Sequence, residues 1–259
     1  MNLETITRSP SSPTHKTPLL FIHGMWHGAW CWDEFMEFFA DAGYRADALS
    51  LRGHAGSKGQ IRGSTIADYV ADVEQVARKF ENHPILIGHS MGGFIVQKYL
   101  ETHDAPAGVL LASNPHFGLW PGLARVTLHN PLITLKCILQ WRLYPVVERP
   151  ADARWGLFSA SMPEEQLLKY HAQMNDESFR MFLDLLGLNL AHPKRVKTPL
   201  LILGAEKDTV IAPSDVHATA RAYGVKAEIF PDMAHDMMLE AGWRSVAERI
   251  LEWLKERGI

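Results

Sequence analysis

Apolar positions along the chain follow two alternating rhythms. Short unbroken runs occur at LLFI (19–22), ILI (85–87), GVLL (108–111) and LLIL (200–203), each closed by proline, glycine or polar residues. Runs of that length read as strands buried on both faces. YRADALSL (44–51) and KAEIF (226–230) read as further strands, and a short one is expected within 3–8, before the loop SPSSPTHKTP at 9–18. Between the strands the spacing turns helical. In DEFMEFFADAG (33–43) Phe35, Phe38, Phe39 and Ala42 form one stripe, with Asp33 placed to cap the helix and Gly43 to stop it. Residues 64–80 carry Ile66, Tyr69, Val70, Val73, Val76, Ala77 and Phe80, behind a Ser64 or Thr65 cap. FIVQKYLETH (94–103), 212–224 and 242–257 follow the same pattern, the last burying Trp243, Val246, Ile250 and Trp253 or Leu254. Strands alternating with amphipathic helices predict an α/β fold with a mostly parallel central sheet flanked by helices.

The alternation breaks at 114–195, where aromatic-rich amphipathic helices occur without a strand signal. The reading is a core of residues 1–113 and 196–259 with a helical cap, or lid, inserted at 114–195 over the strand ends.

The sharpest local signal is Gly88-His89-Ser90-Met91-Gly92-Gly93, between the run PILI and the helix FIVQKYL. This is G-x-S-x-G in the strand, tight turn, helix setting that pushes a serine hydroxyl outward. A serine needs a base and a group that orients the base. Asp208, in GAEKD, and His235, in PDMAHD, each follow a strand run, and the order Ser90, Asp208, His235 suits such a site. Glu206 is the alternative acid. Asp232 and Asp236 read as surface or loop-capping residues, His89 as packing behind the site, and His54, in LRGHAGS, as a loop residue near its rim. Two backbone N–H groups would meet a developing oxyanion. Met91 follows the serine and supplies one, and Met25, in the loop His23-Gly24-Met25-Trp26-His27-Gly28, supplies the other, with Trp26 the alternative.

His23 and His27 stand four apart at a strand end, without an H-E-x-x-H pattern, and no phosphate-loop motif occurs, so neither metal nor cofactor is expected. The 259 residues carry a net charge of −3, 47% hydrophobic and 21% charged residues. That composition excludes overall disorder and gives no general attraction to nucleic acid. Two cysteines, Cys31 and Cys137, make no disulfide framework, so a reducing compartment is the easier reading, with one bridge left open. The first residues lack the apolar core of a signal peptide and no apolar run reaches spanning length, so a cytoplasmic protein without stable membrane insertion, a monomer or homodimer, is expected.

The motifs FIHG (21–24), LRGHAGS (51–57), GHSMGG (88–93), LILGAEKD (201–208) and MAHDMMLE (233–240) together resemble the α/β-hydrolase superfamily over residues 18–257. The resemblance implies Ser90 as nucleophile, Asp208 as acid, His235 as base, and Met25 and Met91 as oxyanion donors. HGMWHGAWCW (23–32) is similar to a run in the plant methylesterase and hydroxynitrile lyase branch. That family usually has more strands before FIHG than 17 residues accommodate, so a shortened leading edge is expected. The expected reaction is hydrolysis of small to medium apolar esters through an acyl-enzyme. Lactone, amide, carbon–carbon and cyanohydrin cleavage stay open, as does a ligand-binding receptor on the same scaffold. Trp26, Phe117, Trp120 and Trp141 are the named pocket candidates, with Leu119, Leu128, Leu139, Phe158, Met162 and Met174 as further apolar choices from the insertion.

Overall fold

A computed structural model describes residues 1–259. The strands are β1 (Thr5–Arg8), β2 (Leu19–Ile22), β3 (Ala46–Leu49), β4 (Ile85–His89), β5 (Gly108–Leu111), β6 (Leu200–Ala205) and β7 (Ala227–Phe230). They form one seven-stranded sheet in the order β1-β3-β2-β4-β5-β6-β7. Only β1 runs antiparallel, against β3, so the leading edge is a single strand. From β2 to β6 every strand residue is buried, which is why β2, β4, β5 and β6 appear in the sequence as apolar runs, while β3 carries Asp47 paired with Thr7 and Arg45.

Ten helices complete the chain: α1 (Asp33–Asp41), α2 (Ile66–Ala77), α3 (Met91–Tyr99), α4 (Trp120–His129), α5 (Pro131–Gln140), α6 (Pro150–Leu157), α7 (Glu164–His171), α8 (Phe179–Leu183), α9 (Pro213–Ala222) and α10 (Trp243–Glu256). This is the mixed, mostly parallel sheet flanked by helices that the alternation predicts. α1 packs on α10, with Phe35 5.8 Å from Trp243, and α2 packs on α3. In α10, Trp253 and Leu254 are both buried, while Trp243 is half-buried.

Local chemistry sets the helix ends. Thr65 caps α2 in a reciprocal box: its Oγ1 accepts from Asp68 N–H at 3.1 Å, and the Asp68 carboxylate accepts from Thr65 N–H at 2.9 Å. Asp33 does not cap α1. A 3-10 turn at Ala29–Trp32 feeds directly into that helix, leaving the Asp33 side chain exposed and paired with Arg8 at 3.4 Å. α3 starts immediately after Ser90 and ends at Tyr99, earlier at both ends than its apolar spacing suggests. Cys31 and Cys137 are buried and unbridged. No helix is long and apolar enough to cross a membrane.

The chain runs from β2 outward to β3, then returns to place β4 on the other side of β2, with Ile22 opposite Gly88. A crevice forms at such a reversal, beyond the C-terminal ends of the strands. The helices α4 to α8 leave the sheet after β5 and return to it at β6.

Candidate active site

Ser90 sits on the turn between β4 and α3 with φ 52° and ψ −116°, a conformation unfavourable for a residue with a side chain. Its neighbours make the turn possible. A side chain at Gly88 would collide with the Gly92 carbonyl, and one at Gly92 with the Ile22 carbonyl of the adjacent strand. Both positions therefore require glycine, and the serine side chain is turned toward the crevice.

The structure brings Ser90, His235 and Asp208 into one chain of hydrogen bonds. Ser90 Oγ donates to His235 Nε2 at 2.9 Å, and His235 Nδ1 donates to Asp208 Oδ2 at 2.6 Å. The other Asp208 oxygen accepts the N–H groups of Val210 and Ile211 at 2.8 and 2.7 Å, which fixes the carboxylate. All three side chains are buried. Burial alone would lower the His235 pKa, but the Asp208 carboxylate outweighs it and holds the value above the ordinary one. Glu206, the alternative acid, lies on the surface with Lys207 and accepts the Asp232 N–H. Asp232 is exposed, as expected.

His89 packs behind the site. Its Nε2–H donates to the His235 carbonyl at 2.9 Å, and burial with the nearby His235 charge brings its pKa down to about 3, so it stays neutral. Two other expectations fail. His54 is fully buried rather than at the rim, because Glu177 lies 3.2 Å from its Nε2 and the His23 ring packs 5.0 Å away. Asp236 is fully buried rather than on the surface, because His27 Nε2 donates to it at 3.0 Å. His89, His235 and Asp236 bring potential ligand atoms within 4.8 Å of one another, but both His235 nitrogens are committed to Ser90 and Asp208.

The amides of Met25 and Trp26 make no hydrogen bond within the chain. Met91 opens α3, where a first-turn N–H has no intrahelical acceptor. Unspent amides therefore flank Ser90 on both of the expected loops.

Ser90 and His235 form the floor of a cavity of about 260 Å³. Met25, Trp26, Leu119, Leu123, Val126, Ile138, Phe179, Phe182, Leu183 and Val210 are among its walls, and His235 is the only ionisable side chain on it apart from the buried Cys137 thiol. Trp26 and Leu119 thus fall where expected. Phe117, Trp120 and Trp141 lie outside the cavity: Trp120 is exposed with its indole N–H on the Leu186 carbonyl, and Trp141 covers the outer side of Phe179 at 4.4 Å. Leu128 and Leu139 point to solvent, and Phe158, Met162 and Met174 are buried elsewhere. Sequence reasoning missed Asn114, whose Oδ1 stands 3.4 Å from Ser90 Oγ. Its position just beyond the end of β5, the strand beside the Ser90 turn, was the available signal.

An α/β sheet with a serine, a histidine and an aspartate hydrogen-bonded in series at its strand ends defines a recognisable class of scaffold. Residues 19–249 match the sequence profile of the Alpha/beta hydrolase family, and the chain belongs to that family. It is 35% identical over 97 residues to a non-heme chloroperoxidase of Burkholderia pyrrocinia, a stretch covering 37% of this chain and 35% of that protein. It is 24% identical over 250 residues to a monoacylglycerol lipase of Mycolicibacterium smegmatis, covering 91% of this chain and 87% of that one. Among solved structures, an esterase from Exiguobacterium antarcticum superposes with a TM-score of 0.77 at 20% identity, covering 98% of this chain and 95% of that chain, a likeness of fold.

Proposed function

We propose that the protein is a serine-dependent carboxylic ester hydrolase acting on small to medium apolar esters. The observation that carries this is the 2.9 Å contact from Ser90 Oγ to His235 Nε2 at the floor of an apolar cavity. Ser90 Oγ attacks the ester carbonyl carbon while its proton passes to His235 Nε2. The carbonyl oxygen becomes an oxyanion facing the N–H of Met91 and that of Met25 or Trp26. The carbon–oxygen bond to the alcohol then breaks, and the alcohol leaves with the proton from His235. Water gives a proton to the same nitrogen as it attacks the acyl-enzyme, and the acid departs as Ser90 regains its proton. Asp208 stays ionised and holds the ring.

The relatives named above include a lipase and an esterase, which supports the same class of reaction. The walls argue for a neutral, apolar substrate, since Arg125, Arg142, Arg149 and Arg154 are all paired with carboxylates away from the cavity. Residues 114–195 are proposed as the cap that sets substrate size, because they supply most of the walls. A cavity near the small end of the usual range for ligand sites favours chains from butyrate to octanoate.

The test is steady-state hydrolysis of p-nitrophenyl esters from acetate to palmitate by the native protein and Ser90→Ala. Turnover should fall by about a thousandfold or more in the variant with folding retained. Equal rates in the two proteins would reject Ser90 as nucleophile. A folded native protein inactive at every chain length would reject the esterase reading and favour cleavage of another bond.

A further inference from the structure

Two successive peptide units after β2 are held by buried histidine rings. His23 Nδ1–H donates to the Gly24 carbonyl at 2.7 Å, while its Nε2 accepts from Leu51 N–H at 3.0 Å. His27 Nδ1 faces the Met25 carbonyl at 2.6 Å, and its Nε2 faces Asp236 Oδ2 at 3.0 Å. The ring thus bridges the Met25 carbonyl on one side and the Asp236 carboxylate on the other.

The chain contains no cis peptide bond. In a trans peptide the C=O and the N–H point in opposite directions. A hydrogen bond that pins the Gly24 carbonyl therefore aims the Met25 N–H, and one that pins the Met25 carbonyl aims the Trp26 N–H. These are the two unspent amides beside Ser90. Trp26 also has φ 66°, a left-handed conformation that persists only where the surroundings enforce it. His27 holds the carbonyl before Trp26, and the Asn175 N–H holds Trp26's own carbonyl at 2.8 Å.

We propose that His27 and Asp236 are positioning residues that clamp the loop carrying the oxyanion donor to the loop carrying the base. Asp236 is the residue after His235, its N–H is fixed on the Leu157 carbonyl at 2.9 Å, and its carboxylate reaches through His27 to the Met25 peptide. A displacement of either loop is thus transmitted to the other. Stability alone does not call for such a pair, because well-packed apolar side chains usually serve a core as well as buried polar partners do. What an apolar side chain cannot do is set the direction of a peptide dipole. The proposal rests on the serine hydrolase reading for its kinetic consequence, and on the loop geometry for its structural one.

The test compares the native protein, His27→Leu, Asp236→Asn, Asp236→Leu and the double variant His27→Leu/Asp236→Leu. Asparagine still offers His27 a hydrogen bond without the charge, so it should lose less activity than His27→Leu. For p-nitrophenyl butyrate, kcat should fall by about tenfold to a hundredfold in folded His27→Leu, with KM changed less than about threefold. The double variant should be no slower than the worse of its two single changes, because both remove one device. Amide resonances of Met25 and Trp26 should shift or broaden in His27→Leu. An unchanged kcat in folded His27→Leu, a loss confined to KM, or unmoved Met25 and Trp26 amides overturns the clamp. If His27→Leu fails to fold, Asp236→Asn is judged by the same kcat and amide readouts. Hydrolysis that persists in Ser90→Ala would overturn the serine reading instead, and the amide resonances then decide the clamp by themselves.

Discussion

The helices between β5 and β6 divide into two unlike parts. Residues 175–184 are fastened to the sheet domain by polar groups, all but Asn175 of them buried. Asn175 Oδ1 accepts the Ala55 N–H, Glu177 accepts the Tyr69 hydroxyl at 2.7 Å and lies against His54, Ser178 donates to the Ser64 carbonyl, and Asp184 accepts the Ile66 N–H at 3.0 Å. α4 is tied to the sheet domain through Arg125, which donates to the Val210 carbonyl and pairs with the buried Asp215, whereas α5 has no such anchor. On α5, Leu132 and Leu139 are 71% and 77% exposed, and Leu135 is half-exposed along the same side. Yet both parts supply cavity walls, Phe179, Phe182 and Leu183 from the anchored part, Thr134 and Ile138 from α5. Apolar content therefore does not reveal which wall is rigid. The buried polar contacts do, because each sets a direction and leaves an uncompensated group when broken.

The largest effect should come from cutting the anchor. Glu177→Ala strands His54 and the Tyr69 hydroxyl in the interior, and should cost about 3 kcal/mol in denaturant unfolding. A loss as small as a surface change would mean that the anchored part is not anchored by this residue. Next comes the cap that crosses between the parts of the fold. Asp184→Ala frees the first amide of α2 and should cost about 1 kcal/mol. The exposed side of α5 should respond least: Leu132→Ser with Leu139→Ser should change stability by less than about 0.5 kcal/mol. A larger loss there would show that α5 is packed after all, and would erase the contrast.

The anchor and the site should also differ in their pH response. Burial lowers the His54 pKa, but the Glu177 charge outweighs it and leaves the folded value raised. A raised folded value stabilises fully below the ordinary histidine pKa, and the contribution disappears as pH rises through the folded value. Denaturant midpoints should therefore fall as pH rises from the ordinary histidine value through the raised one, and the part of that fall due to His54 should vanish in Glu177→Gln. His235 acts in the opposite sense on turnover. In the proposed mechanism it must be neutral to accept the Ser90 proton, and its pKa is raised, so kcat/KM should drop on the acid side with a midpoint above 6.5. Asp236→Asn removes a negative charge beside it and should move that midpoint to lower pH.

The sheet and the serine turn were readable in the sequence for physical reasons. Strands buried on both faces are apolar unless a partner satisfies the polar group, as Arg45 does for Asp47, and a turn as tight as 88–92 must have glycine where a side chain would meet a carbonyl. Asp208 and His235 were readable because residues that end strands share one edge of a parallel sheet. Asp236, His54 and Glu177 were not, because a buried polar group depends on a partner that the local pattern does not specify. His27 and Asp236 are 209 residues apart. The trace that existed was an acidic residue inside the apolar stretch MAHDMML. Trp120 and Trp141 misled in the opposite direction, since a helix's spacing gives its faces but not which of them meets the cavity.

The most direct measurement is intact and peptide mass spectrometry after treatment with a dialkyl fluorophosphate, in which Ser90 Oγ displaces fluoride to form a stable phosphoryl ester. A single adduct on the peptide containing Ser90, absent in Ser90→Ala and much slower to form in His235→Ala, is the expected result. An adduct on another residue, or labelling at equal speed in all three proteins, would contradict the assignment of Ser90 as a nucleophile activated by His235.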